Sequence, residues 1–209
     1  MKYVLLHPTY FPSIIQMAAM AQTSHIYFEM EDNYQKQSYR TRTYIAHNNG
    51  ELLLNIPIIH TKNGNRQKTK DVKVENSFPW QSHHWKSIKT AYRTSPFFEF
   101  YEDELNPLFA KEVSCLMTHN LEIIELLFDL IGIDTEVSKT EEYKKNPLEK
   151  DFRYLANAKT EKNFTFEKYT QVLEAHHGFL PNLSVLDLLF NEGPNTLNYL
   201  ESQQLEIQS

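Results

Sequence analysis

At 209 residues, with 41% hydrophobic and 23% charged residues, the chain has the balance of a globular protein able to bury one sizeable core. Its net charge of −6 excludes a general nucleic-acid or anionic-membrane binder, since both need a basic surface. A lone cysteine, Cys115, excludes an intrachain disulfide and makes a reducing compartment the expectation.

No stretch approaches the ~20 apolar residues that span a bilayer, so no membrane insertion is expected. The start holds a single Lys and about four apolar residues before its prolines, too few for a signal-peptide core, and the expected location is cytoplasmic.

Tyr3-Val4-Leu5-Leu6 reads as a buried strand, which Pro8 and Pro12 end by removing amide donors. Ile14, Met17, Ala18 and Ala21 then recur at helical spacing. Ile26-Tyr27-Phe28-Glu29-Met30 is the next strand. Strand, helix and strand in this order form a βαβ unit with parallel strands and a right-handed crossover. Ligands of such sheets bind beyond the carboxyl ends of the strands. Here those ends are the loop His7-Pro8-Thr9-Tyr10-Phe11-Pro12 and the polar stretch from Glu31 to Gln37, which are expected to form two walls of one site.

His47-Asn48-Asn49-Gly50-Glu51 predicts a hairpin turning at Asn49-Gly50, which pairs Ile45 with Leu54 and Thr43 with Ile56. Ile45, Leu52, Leu54, Ile56 and Ile58 then face the core. Arg40, Arg42, Tyr44 and Asn55 face away from it, the two arginines pointing the same way.

His60 to Lys70 is polar and basic and reads as a mobile loop, and Asp71 to Val74 as a short edge strand. Phe78-Pro79-Trp80 opens a helix to about Thr94, with Trp80, His84, Ile88 and Tyr92 on one face. Apolar spacing from Leu105 to Ile131 predicts two helices broken near Thr118-His119-Asn120, with a buried Cys115 mid-helix and Gly132 as the stop. Residues 134–170 are charged and weakly patterned, with a short strand at Glu136-Val137-Ser138. Ser184 with Asp187 starts a last helix in the manner of a capping box, and Gly193-Pro194 stops it. The expected fold is a single α/β domain over 1–209: a small, mostly parallel sheet begun by the βαβ unit, one β-hairpin and flanking helices.

The candidate chemistry follows from this placement. Arg40 and Arg42, with Tyr44 on their face, suit an anion, because guanidinium donates paired hydrogen bonds to phosphate or carboxylate. Lys36 suits the neutralisation of developing charge, and Asp32 suits proton abstraction. Tyr10 and Tyr34 offer rings for stacking on a sugar or base, against half-buried structural tyrosines as the alternative. His84 is a second candidate for proton transfer, against a packed histidine as the alternative. Asp187 and Asn191, one turn apart, are candidates for contacting a polar ligand, against helix capping and closure. The pairs His83-His84 and His176-His177 lack the spacing of a metal signature, so no metal is expected. With five glycines there is no phosphate-cradling loop, and no serine sits in a nucleophile elbow.

Several stretches occur together in one order. They are Pro-x-Tyr-Phe-Pro after the first strand, Tyr39-Arg40-Thr41-Arg42-Thr43, Trp85-Lys86-Ser87-Ile88 with Ala91-Tyr92 and Ser95-Pro96-Phe97-Phe98, and Asn182-Leu183-Ser184 followed by Asp187 to Pro194. In these the chain resembles the WbqC-like family over about residues 1–133 and 176–200. Pro8, Phe11, Pro12, Lys36 and Arg42 match the family's pattern, whereas many members read Gln-Pro where this chain has His7-Pro8 and Asn-Arg-Asn where it has Thr41-Arg42-Thr43. The resemblance implies a role in surface-polysaccharide (O-antigen-like) or related glycoconjugate biosynthesis. The expected activity is group transfer to or from an activated or nucleotide-linked sugar, an anionic or sugar-containing small molecule; no cofactor is identified. The alternative is a non-catalytic carbohydrate- or partner-binding protein using the same surface.

Overall fold

The structure, a computed structural model, describes residues 1–60, 67–159 and 164–205. The βαβ unit is present as β1 (Tyr3–Leu6), α1 (Ile14–Ala21) and β2 (His25–Phe28), and β1 and β2 pair in parallel with Val4 beside Ile26 and Leu6 beside Phe28. Alternation puts Val4, Leu6, Ile26 and Phe28 on the core face, while Tyr3, His25 and Tyr27 take the other.

Gln16 explains how α1 starts. Its Oε1 accepts the Ser13 backbone N–H at 3.0 Å and the Thr9 hydroxyl at 3.1 Å, so the helix's first turn ties down the preceding loop. Phe11 in that loop has φ +41°, an uncommon conformation for a side chain of its size. Its carbonyl accepts the hydroxyls of Thr43 (2.9 Å) and Ser184 (3.3 Å), which hold it there.

The hairpin consists of β3 (Arg42–His47) and β4 (Gly50–Asn55). Its core face is as expected, but Ile45 pairs with Leu52 and Thr43 with Leu54, two residues from the expected register. The left-handed position falls on Gly50 (φ +111°), which follows the turn instead of sitting within it, so Asn48-Asn49 makes the turn. A slip of two preserves the faces. Arg40 departs from the expectation more seriously. It precedes β3, so strand alternation does not govern it, and its side chain is buried instead of pointing outward with Arg42.

Of the basic stretch after His60, residues 61–66 lie outside the described residues, and a 3₁₀ turn covers Thr69–Asp71. Val72 and Val74 are buried, but the expected edge strand is reduced to isolated bridges, Ile58 with Val74 and Lys73 with Cys115. α2 (Trp80–Tyr92) buries the Trp80, His84, Ile88 and Tyr92 face. α3 (Phe98–Leu105) and α4 (Pro107–Ala110) precede α5 (Leu116–Ile131), which ends on left-handed Gly132. The helix break therefore lies before Leu116, not at 118–120. Asn120 is buried inside α5, where its amide donates to the carbonyls of Pro8 (3.3 Å) and Arg40 (2.9 Å). Cys115 is the extended, half-exposed residue before α5 and not a buried mid-helix one, because its backbone bridges to Lys73.

Two further parallel strands complete the sheet in the order β5-β2-β1-β6: β5 (Glu136–Lys139) lies beside β2, and β6 (Lys150–Asp151) lies beside β1. After α6 (Glu174–His177) come α7 (Val185–Glu192), capped by the Ser184 hydroxyl, and α8 (Thr196–Ser202). α1 packs against α7 and α8, and one buried cluster runs from Val4 to Leu200. No helix of the described residues is long and apolar enough to cross a membrane.

Candidate functional site

A cleft of about 840 Å³ opens at the carboxyl ends of β1, β2 and β6. Each strand delivers residues to it by running out at that edge: His7 after β1, Glu31 and Asp32 after β2, and Asp151 with Arg153 at the end of β6.

Two arginines organise the floor. Arg40 Nη2 donates to Asp32 Oδ2 at 2.7 Å, and His7 Nδ1 lies 3.7 Å from the same oxygen. Arg153 grips Asp151 with two prongs, Nε to Oδ1 at 3.0 Å and Nη2 to Oδ2 at 2.7 Å, and reaches Glu29 Oε2 with Nη1 at 3.0 Å. Glu29 is fully buried and also accepts the Thr140 hydroxyl (2.9 Å) and the Glu31 backbone N–H (2.9 Å). At the rim, Lys68 donates to the Glu31 carbonyl and Lys70 to the Glu31 carboxylate.

The electrostatics follow from burial and these pairings. Burial, reinforced by the charges of Arg40 and Arg153, holds His7 well below its ordinary value, so it is neutral at physiological pH. Burial raises Asp32, and the Arg40 charge and hydrogen bond only partly offset it. Burial would also raise Asp151, but its hydrogen bonds and ion pair with Arg153 outweigh that and lower it.

The sequence-derived candidates divide into three groups. Asp32, Tyr34 and Arg40 line the cleft. Lys36 and Arg42 line a neighbouring groove, which Tyr34 also borders. The rest line neither. Tyr10 is fully buried, its hydroxyl 2.8 Å from His84 Nδ1 and its ring stacked on His119. Tyr44 is half-buried, edge-on to Tyr39. Asp187 is fully buried and accepts from the Tyr169 hydroxyl (2.5 Å) and the Gln171 amide (2.8 Å), while Asn191 donates to the Asp187 carbonyl at 2.7 Å. The Pro-rich loop thus contributes His7 to the cleft and turns Tyr10 into the core.

Sequence reasoning missed Glu29, Tyr143, Asp151, Arg153 and Tyr154. For Glu29 a signal existed, since a carboxylate inside an apolar strand run is rarely buried without a cationic partner. For Asp151 and Arg153 the spacing Asp-x-Arg was visible, but β6 is only two residues long and has no periodicity to place it. Among the described residues, no group of three or more His, Cys, Asp or Glu side chains is placed to hold a metal ion.

Fold and cleft together define a small α/β protein with a charged, arginine-braced site at the carboxyl edge of a parallel sheet. The chain belongs to the WbqC-like protein family, whose model matches residues 7–165. It is similar to a protein of Mycobacterium tuberculosis named "Uncharacterized protein Rv1507c", 24% identical over 238 residues that take in 95% of this chain and 97% of that one. No solved structure gives a significant match.

Proposed function

We propose that the protein is a group-transfer enzyme whose cleft takes an activated or nucleotide-linked sugar, serving surface-polysaccharide (O-antigen-like) or glycoconjugate biosynthesis. The observation that carries this reading is the buried Asp32–Arg40 pair beside neutral His7, on the floor of a cleft at a parallel sheet's carboxyl edge. Its volume of about 840 Å³ lies in the range typical of small-molecule sites, roughly 300–1,000 Å³. Tyr34, Tyr143 and Tyr154 give the lining ring faces and hydroxyls, as a sugar requires. Arg40 holds Asp32 in one orientation, and burial raises the carboxyl toward the range useful for taking a proton from a substrate hydroxyl. Arg153 fixes Asp151 as an acceptor for further hydroxyls.

One feature favours the alternative, non-catalytic carbohydrate binding: both arginines of the cleft already face carboxylates, which leaves neither uncommitted for charge developing in a reaction. A thermal-shift screen against nucleotide-sugars, acyl donors and simple sugars separates the readings, because a specific ligand stabilises the folded state by mass action. The expected result is a saturable rise with nucleotide-sugars and product formation that Asp32→Asn lowers by roughly 10²–10⁴-fold. A rise with simple sugars alone and no turnover selects the binding protein, and no rise with any class overturns both.

A further inference from the structure

The groove beside the cleft has a volume of about 350 Å³ and shares Tyr34 with it. Its cationic lining is Lys36 and Arg42, with His60 beside them, and no carboxylate lines it. In the cleft most cations are paired: Arg40 faces Asp32, Arg153 faces Asp151 and Glu29, and Lys68 faces Glu31, while among the described residues Lys145 is in no ion pair. The chain carries 27 acidic residues, yet among the described residues neither Lys36 nor Arg42 has a carboxylate within ion-pair distance. Arg42 is half-buried, and its Nε is withheld from solvent without a hydrogen-bond partner among the described residues. A buried donor left open in this way is one that a bound acceptor can satisfy. β3 keeps the backbone of Arg42 rigid, so its guanidinium is presented to the groove without a large ordering cost.

We propose that this groove is a phosphate-binding subsite. An activated substrate lies across Tyr34 with its phosphate on Arg42 and Lys36 and its sugar in the cleft. The assignment rests on the reading of the cleft given above, and it differs from a twin-arginine clamp because Arg40 is committed to Asp32. Guanidinium binds phosphate oxygens through two parallel hydrogen bonds, and the Lys36 ammonium adds a point charge.

The test is calorimetric titration of pyrophosphate, inorganic phosphate and a nucleoside-diphosphate sugar into the full chain at constant ionic strength. Saturable pyrophosphate binding is expected, weakened about tenfold or more by Arg42→Gln, as the loss of a charged bidentate contact requires. Arg42→Lys, which keeps the charge and loses the fork, is expected to fall between, and it serves if Arg42→Gln does not fold. Arg93→Gln, an exposed cation elsewhere, is the control; equal weakening by it means unspecific charge attraction and overturns the proposal. So does pyrophosphate affinity unchanged in Arg42→Gln. Inorganic phosphate binding as tightly as the nucleotide-sugar assigns the groove to the free ion and overturns the bridging pose. Tyr143→Ala, at a 52% exposed wall of the cleft, is expected to weaken only the sugar-containing ligand. Arg42-dependent pyrophosphate binding without any nucleotide-sugar binding keeps the subsite and refutes the reading of the cleft.

Discussion

Arg40 Nη2 stands 2.7 Å from Asp32 Oδ2, and the two side chains are only 2% and 4% exposed. Three parts of the fold meet there: the stretch after β2 carries Asp32, the segment before β3 carries Arg40, and α5 clamps the Arg40 carbonyl through Asn120. The pair therefore joins the sheet edge to the hairpin and to the helical layer.

Removing one partner strands a buried charge, which costs about 3–5 kcal/mol. Arg40→Ala is expected to lower urea-unfolding stability on that scale. The double variant Arg40→Met with Asp32→Leu is expected to lose clearly less than the sum of the single changes. Additive losses across this cycle would falsify an energetic coupling between the two residues.

Acid is expected to destabilise the protein through its buried histidines. Burial lowers His84 and His119 to about 4, below the ~6.5 of an unfolded chain. As pH falls from about 6.5 towards 4, the unfolded chain takes up protons that the folded protein refuses. Stability is thus fully present above this window and drops through it, by up to about 1.4 kcal/mol per pH unit for each histidine. His7, lowered chiefly by burial, adds to the same loss. Among the described residues His119 has no hydrogen-bond partner on either ring nitrogen, so His119→Phe removes its share at little structural cost. Comparing urea midpoints at pH 7 and pH 5 should show a smaller drop in the variant; an equal drop takes His119 out of the account.

Two glycines separate backbone strain from steric conflict. Gly132 has φ +82° and open space where a Cβ would stand, so Gly132→Ala should cost about 1–2 kcal/mol. Gly193 has φ +52°, and a Cβ there would lie 2.5 Å from Cγ and Cδ1 of Phe97. Phe97 is itself anchored by its backbone N–H to the Phe190 carbonyl at 3.0 Å. Gly193→Ala should therefore cost roughly 1–3 kcal/mol more than Gly132→Ala. Melting temperatures of the two variants test this, and equal losses would show that the Phe97 ring moves aside freely.

Asp187 ties α7 to the segment before it. Asp187→Ala leaves the Tyr169 hydroxyl without its acceptor, at about 1–3 kcal/mol, and takes from the Gln171 amide one of its acceptors, leaving it the Leu180 carbonyl. Asp187→Asn keeps one acceptor oxygen and should lose less. Hydrogen exchange should rise first in residues 169–180 of the Ala variant, and a uniform rise across the chain would contradict this local role.

The location of the cleft was legible because the spacing of Ile14, Met17, Ala18 and Ala21 and the strands around them are local signals, and crossover handedness then leaves one edge for a site. The core faces of the hairpin were legible too, since a period of two survives a register error of two. Arg40 was misplaced by extending that period past the strand's first residue, Arg42. The interior positions of Tyr10, His84, Asp187 and Asn191 depend on partners between 4 and 74 residues away, and each had a packing alternative that sequence alone left open.

The sequence by itself determined the parallel βαβ start, the apolar faces of α1 and α2, the stop at Gly132 and the family. Each of these is written in neighbouring residues or in motifs kept in order. The tertiary structure decided which charges meet. Leu5 pairs with Asp151, and Arg153 bonds Glu29 across 124 residues. Such ion pairs are selected by the burial that folding imposes on both partners, because a buried charge must find its counterpart wherever the chain brings one.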